Sequence, residues 1–244
     1  MTRFFIAGFI LLSTNLAIAF DLNNISIGGA MDAVKAVTLS NEDARALSLQ
    51  AIKQYDGQNK VAPEGDKYSK RLAALTNKHT GEDGLKLNFK AYLIDEMNAF
   101  ATADGSIRFF SGLMDKLTDE ELLFVIGHEI GHVKLEHSKK KMKTAYATSA
   151  ARKSVAAAGG DLGSVAASQL GGLAEAMVNA THSRKEESAS DGYGVEFMKK
   201  HGYDPVNAVS ALKKLAELGD SSSLLASHPA PTKRAKAIKK KYKL

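Results

Sequence analysis

No cysteine occurs in the 244 residues. The chain therefore forms no disulfide, and it offers no thiol for lipid attachment, so a lipoprotein is not expected. Long apolar runs are also missing. The longest, close to the N-terminus, falls short of the roughly 18 uninterrupted residues that span a bilayer. The basic excess is not accompanied by any nucleic-acid-binding motif, so nucleic acid is not an expected partner.

The short apolar run has the form of a secretion signal. Arg3 supplies a positive start, Phe4 to Leu12 an apolar stretch, and Ala17-Ile18-Ala19 an A-x-A cleavage site before Phe20. Residues 1–19 are read as a signal peptide, 20–39 as a poorly patterned segment, and 40–244 as one domain with a sizeable core. The expected product is exported, soluble and periplasmic. Net charge is +6. Much of the excess lies at Lys233, Arg234, Lys236, Lys239, Lys240, Lys241 and Lys243. These residues read as a solvated helix face, and peripheral association with an anionic membrane is the sharper alternative. Oligomeric state is not legible.

What is present centres on His128-Glu129-Ile130-Gly131-His132. On a helix the two imidazoles of H-E-x-x-H lie one turn apart on one face and can bind one metal ion. Glu129 beside them can reach a metal-bound water, which is the minimal apparatus of zinc hydrolysis. Chance alone yields the pattern in roughly one chain of this composition per hundred. The context favours the helix. Thr118-Asp119-Glu120-Glu121 is a capping box, and Leu122, Leu123, Val125, Ile126, Ile130 and Val133 give a broad apolar surface. The helix is expected from Thr118 to about Ser138. Gly127 reads as a packing position, and Gly131 is open between packing and room for substrate. His137 lies about 140° around the same helix from His132, pointing away from the metal near the C-terminal dipole.

Catalytic zinc takes three protein ligands and keeps one position for water, so a third ligand lies elsewhere. His79, His182, His201, His228 and the carboxylates are the candidates. Glu187-Ser188-Ala189-Ser190-Asp191 has the pattern E-x-x-x-D, which on a helix puts both carboxylates on one face. Glu187 could then ligate while Asp191 accepts the other ring N–H of a ligand histidine. Glu186 fits better as the capping partner of Ser183.

In order along the chain, Asn98-Ala99-Phe100, the Asp104-Gly105 turn, Ser111-Gly112-Leu113, the H-E-x-x-H helix, Ser183-Arg184 with Glu187 and Asp191, and His228-Pro229 resemble the HtpX/LoiP-type zinc metallopeptidases of peptidase family M48. The resemblance runs from about Ser40 to the C-terminus. It implies one zinc per chain held by His128, His132 and Glu187, with Glu129 as general base and Asp191 orienting a ligand histidine, His128 foremost. It also implies that Asn98-Ala99-Phe100 border the cleft, where an edge strand pairs with an extended peptide. His228 is the candidate donor to the oxyanion, or a fourth ligand that keeps the enzyme latent. Tyr193 is a weaker donor, and Arg184 a partner for an acidic neighbour or substrate.

The remaining pattern predicts a helix-rich α+β fold of zincin type. Helices are expected over Ser40 to Tyr55 and Tyr68 to Lys78, and a strand over Leu87 to Ile94. A hairpin of Met97 to Ala101 and Ile107 to Phe110 is expected beside the H-E-x-x-H helix. The Ala/Gly/Ser-rich stretch 143–179 reads as two short helices or a lid. The function these readings define is a zinc metalloendopeptidase acting on extended or unfolded polypeptide in envelope protein quality control. The rival readings are a non-proteolytic chaperone or assembly factor that keeps the zinc site, and a zinc hydrolase of a non-peptide bond.

Overall fold

The computed structural model describes residues 27–147, 181–217 and 223–244. The predicted signal peptide and most of the Ala/Gly/Ser-rich stretch lie outside the described residues.

The described residues open with three helices, α1 (Ile27–Thr38), α2 (Asn41–Gln58) and α3 (Lys67–Thr76). Two single 3-10 turns, Asn77–His79 and Glu82–Gly84, lead into β1 (Asn88–Tyr92), β2 (Ala99–Ala101) and β3 (Ser106–Phe110). Then come α4 (Ser111–Lys116), α5 (Asp119–Lys134) and a helix, α6, over residues 137–147. The C-terminal part holds α7 (Arg184–Lys200), α8 (Val206–Ala216), α9 (Ser223–Ser227) and α10 (Pro231–Tyr242). This is the helix-rich α+β arrangement with one small sheet that the pattern predicts.

The sheet is mixed, in the order β1-β3-β2. β1 runs parallel to β3, and β2 pairs antiparallel with β3 as the predicted hairpin. Its turn depends on Gly105, whose φ of 92° is left-handed backbone. Any Cβ there would also fall 2.1 Å from the Lys86 carbonyl oxygen. Asp104 closes the turn by accepting from Thr102 Oγ1 at 2.6 Å and Ser106 Oγ at 2.7 Å.

Helix α5 is the spine. Every residue from Glu121 to His132 is buried. Its start is fixed by the Thr118–Glu121 capping box, and Glu121 is tied further to Ser210 and Lys214 of α8 at 2.5 and 2.7 Å. Against it lies α7, close enough that side chains are excluded from the crossing. A Cβ on Gly127 would sit 2.7 Å from Phe197, and one on Gly131 would sit 3.0 Å from Tyr193 Cβ and 3.2 Å from Ser190 Cα. Both glycines are thus packing positions, which resolves Gly131.

Two elements depart from the sequence reading. The weak patterning of residues 20–39 predicts no regular structure, yet residues 27–38 form α1. The pattern is weak because Met31, Val34 and Val37 are 57–77% exposed, so the apolar spacing does not face the core. The helix docks instead through buried Leu39, which packs with Met142, and through Lys143 Nζ on the Val37 carbonyl. The H-E-x-x-H helix also stops early, at Lys134 rather than near Ser138. Glu136 takes a left-handed φ of 56°, and the chain turns before α6 begins at His137.

Candidate metal centre

The early end of α5 decides where the histidines go. His128 and His132 stay on its inner face, with Nε2 atoms 2.9 Å apart. The Ser183–Glu186 capping box sets the phase of α7, which leaves Glu186 at the surface and turns Glu187 inward. Glu187 Oε1 lies 3.4 Å from His132 Nε2, and Oε2 lies 3.8 Å from His128 Nε2. The loop after α9 brings His228 Nδ1 within 3.0 Å of Glu187 Oε1 and 3.4 Å of His128 Nε2. His128, His132, Glu187 and His228 thus offer four donor atoms converging on one point, and all four residues are buried.

The donor set suits zinc. Ligand bonds of about 2.0–2.1 Å in a tetrahedron put donor atoms about 3.3 Å apart, the middle of the separations just given. Two buried carboxylate oxygens here, Glu187 Oε2 and Glu129 Oε2, have no hydrogen-bond partner among the described residues. Arg234 Nη1 lies 2.5 Å from Glu187 Oε2, but its N–H is not aligned for a hydrogen bond, so the attraction is one of charge alone. Unpaired buried oxygens of this kind are expected where a cation belongs.

The protonation states agree. Burial drives His132 well below the usual imidazole range, which favours the neutral form that metal ligation requires. Burial works against ionisation of Glu187, but His228 and Arg234 outweigh it and hold the carboxyl well below its usual range.

Around these residues is a second layer. Asp191 Oδ1 is 3.0 Å from His128 Nδ1, the partner that E-x-x-x-D spacing allows for. Arg234 grips Asp191 with two bonds, Nε to Oδ2 at 2.9 Å and Nη2 to Oδ1 at 2.6 Å. Arg234 does not belong to the solvated basic face. It lies three residues after Pro231 on the stripe that also buries Ala235 and Ile238. That helical spacing, rather than the charge run, was the signal for it. The neighbouring Lys233, Lys236 and Lys239 to Lys241 are exposed as expected.

His137 is corrected as well. It is not among the four converging atoms, but neither does it point away at a helix end. The turn at Glu136 folds it back, so that its Nδ1 lies 3.0 Å from His132 Nδ1 and 3.3 Å from Ser190 Oγ. Burial lowers the pKa of His137, and with His132 Nε2 turned to the centre the His132 Nδ1–H would donate to His137 Nδ1. Its place beside His132 Nδ1 matches that of Asp191 beside His128 Nδ1. His182, one of the candidates for the third ligand, lies instead against His132. Its ring stacks on His132 with centroids 3.8 Å apart, held by a backbone bond from His182 N to Ser227 O at 2.9 Å. Lys141 of α6 feels Glu129 and Glu187, though burial pushes its ammonium down to about 8.

Tyr193 is not at the centre. Its hydroxyl donates to Asp83 at 2.7 Å. Arg184 is exposed at the start of α7. Ala99 and Phe100 lie on β2, which among the described residues pairs only with β3, and Asn98 immediately precedes that strand. Phe100, however, packs in a core cluster with Ile52, Tyr92 and Phe110, and Asn98 is 2% exposed. Only backbone faces outward. The bonds Phe110 N to Asn98 O and Thr102 N to Ser106 O turn the even positions toward β3 and Ala99 and Ala101 away from it, where the Ala101 carbonyl accepts from Ser138 Oγ at 2.8 Å. Beside His128, Glu129 and His228 opens an apolar pocket lined by Phe124, Val125, Leu212, Leu215, Leu224 and Leu225.

A buried His-His-Glu centre on a spine helix, with a glutamate at its mouth, is the arrangement of a metal-dependent peptidase. Sequence comparison agrees. The model of peptidase family M48 matches residues 67–242, and the chain belongs to that family. It is 40% identical over 222 residues to metalloprotease LoiP of Escherichia coli (strain K12), covering 90% of this chain and 88% of that one. Metalloprotease YcaL of the same organism is 40% identical over 220 residues, covering 88% and 86%. The Escherichia coli beta-barrel assembly-enhancing protease is 30% identical over 168 residues, covering 62% of this chain and 34% of that one. The protein is a metalloprotease.

Proposed function

We propose that the protein is a zinc endopeptidase whose metal is held by His128, His132 and Glu187, with Glu129 as general base. The observation that carries this reading is the convergence of those three ligands beside a buried glutamate with an unpaired oxygen. When bound, zinc supplies a water acidified toward about pH 7 and polarises the scissile carbonyl. Glu129 would accept the proton that the attacking water gives up and pass it to the leaving amine. Its unpaired Oε2 is the acceptor for that proton. Asp191 and His137 fix the tautomers of His128 and His132, so that each presents Nε2.

His228 acts as the fourth ligand of a latent state. Its Nδ1 is grouped with the other three donor atoms, so it would complete a four-ligand set in place of the water that a catalytic site keeps. Movement of the loop between α9 and α10 opens the site.

The substrate is extended polypeptide, pairing with the outward backbone of Ala99 on β2 and placing an apolar side chain in the pocket beside Glu129. Unfolded or misassembled proteins of the cell envelope supply such segments, and export by the N-terminal signal puts the enzyme among them. No described helix is long and apolar enough to cross a membrane. Replacement of Glu187 by Ala tests the ligand set: loss of bound zinc together with casein cleavage supports it, and zinc retained with wild-type affinity at the His128–His132 centre refutes it.

A further inference from the structure

At the far end of α7 a second group of metal-binding side chains comes together: His79, Glu82 and His201. Glu187 and His201 are 14 positions apart on and just beyond one helix, a rise of about 20 Å, so this group is separate from the first centre.

His79 is fully buried. One ring nitrogen, Nε2, meets the Tyr203 hydroxyl at 3.2 Å. The other, Nδ1, has no hydrogen-bond partner among the described residues. It faces Glu82 Oε2 across 3.6 Å, too far for a hydrogen bond. The same oxygen lies 2.9 Å from His201 Nε2, and the two imidazoles stand edge to face with centroids 4.4 Å apart. One donor atom from each residue falls within 4.8 Å of the others. Glu82 Oε1 is occupied separately by Lys200 Nζ at 2.5 Å, which leaves Oε2 for the group.

Tyr203 on the far nitrogen is the kind of outer partner that orients a ligating histidine. A hydrogen bond between Glu82 and His201 accounts for two of the three residues. It does not account for a buried His79 nitrogen aimed at them with nothing to meet.

We propose that His79, Glu82 and His201 form a second, structural site for a divalent first-row transition ion, zinc foremost. Two imidazoles and one carboxylate are a zinc donor set, with water as the fourth ligand. The site acts as a clamp. Glu82 lies in a turn whose next residues, Asp83 and Gly84, take left-handed φ of 49° and 77°. Asp83 of that turn also accepts from Lys134 Nζ at the end of α5, at 3.1 Å through its carbonyl, and from Tyr193 of α7. Metal bound here fastens the turn to the end of α7 and, through Asp83, to α5, the two helices that carry the first centre.

The test is metal counting on untagged full chain, stripped with chelator, refilled with zinc and freed of excess by gel filtration. Wild type should retain about two zinc per chain, and His132→Ala, His201→Ala and Glu82→Gln about one each. In the His132→Ala background, cobalt should still give visible absorption bands, and adding His201→Ala should abolish them. His201→Ala should keep the far-ultraviolet circular dichroism of wild type, which shows that it is folded. Equal zinc in wild type and His201→Ala, or no cobalt bands in His132→Ala, overturns the second site. Wild-type zinc content in His132→Ala, with loss in His201→Ala, would instead overturn the first centre and leave the second standing.

Discussion

Arg234 holds Asp191 in a two-bond grip, and the same Asp191 oxygen that accepts from Arg234 Nη2 at 2.6 Å lies 3.0 Å from His128 Nδ1. A residue near the C-terminus thereby sets the orientation of a candidate ligand on the spine helix. Because Arg234 also neutralises Glu187, its removal leaves two buried carboxylates without their cation. Arg234→Ala is expected to lower zinc affinity by about 10–100-fold, as loss of an outer partner does. Its stability should fall by about 3–5 kcal/mol, the usual cost of breaking a buried ion pair. Competition with a chromogenic chelator and urea titration read the two effects. Arg234→Lys should recover part of the stability but not the paired geometry on Asp191.

His228 gives a prediction that separates its two readings. As a fourth ligand of a latent state, it slows the enzyme when present. His228→Ala should then raise casein cleavage and lower zinc affinity only modestly. If the variant loses activity while zinc affinity is unchanged, His228 serves the oxyanion instead, an effect of about 3 kcal/mol in activation energy.

The pocket beside Glu129 predicts specificity. Cleavage-site profiling on a peptide library should show an apolar residue next to the scissile bond. Leu212→Asp, which puts a charge into that lining, should depress cleavage of such peptides while leaving bound zinc unchanged. A profile indifferent to apolar character contradicts the placement.

Stability should depend on pH through Asp56. Its carboxylate bonds buried Arg108 at 2.9 and 3.0 Å, and accepts from Tyr92 at 2.5 Å and Lys90 at 2.8 Å. Burial tends to raise its pKa, but Arg108, Lys90 and Tyr92 hold it below the usual carboxylate range. With the folded value depressed, the contribution is present above the unfolded pKa of about 3.9 and is lost as pH falls through the lower folded value. Asp56→Asn should cost about 3 kcal/mol at neutral pH and flatten the loss of stability in acid. Urea midpoints at pH 7 and between pH 5 and 3 measure both.

Much of the centre was legible because its chemistry is local. Thr118 and Glu121 announce the start of α5, the four-residue spacing puts His128 and His132 on one face, and Ser183 with Glu186 sets the phase that turns Glu187 inward. Small φ changes and long-range pairing were less visible. Glu136 carries no mark of its left-handed turn, so His137 appears to continue the helix when it folds back on His132. His182 reaches His132 only through pairing of its backbone with Ser227, a contact between distant segments. Arg234 was concealed by its lysine neighbours, although Pro231, Ala235 and Ile238 mark its stripe. Phe100 sits on the edge strand as the pattern indicates, but alternation sends its ring into the core.

The central claim is that Glu129 moves the proton while the histidines and Glu187 hold the metal. Metal content and cleavage of an unfolded protein, measured side by side in wild type and Glu129→Gln, test it most directly. The account predicts unchanged zinc content and a loss of cleavage of about 10²-fold or more. Glu129→Gln enzyme that cleaves at the wild-type rate with its zinc in place would contradict it.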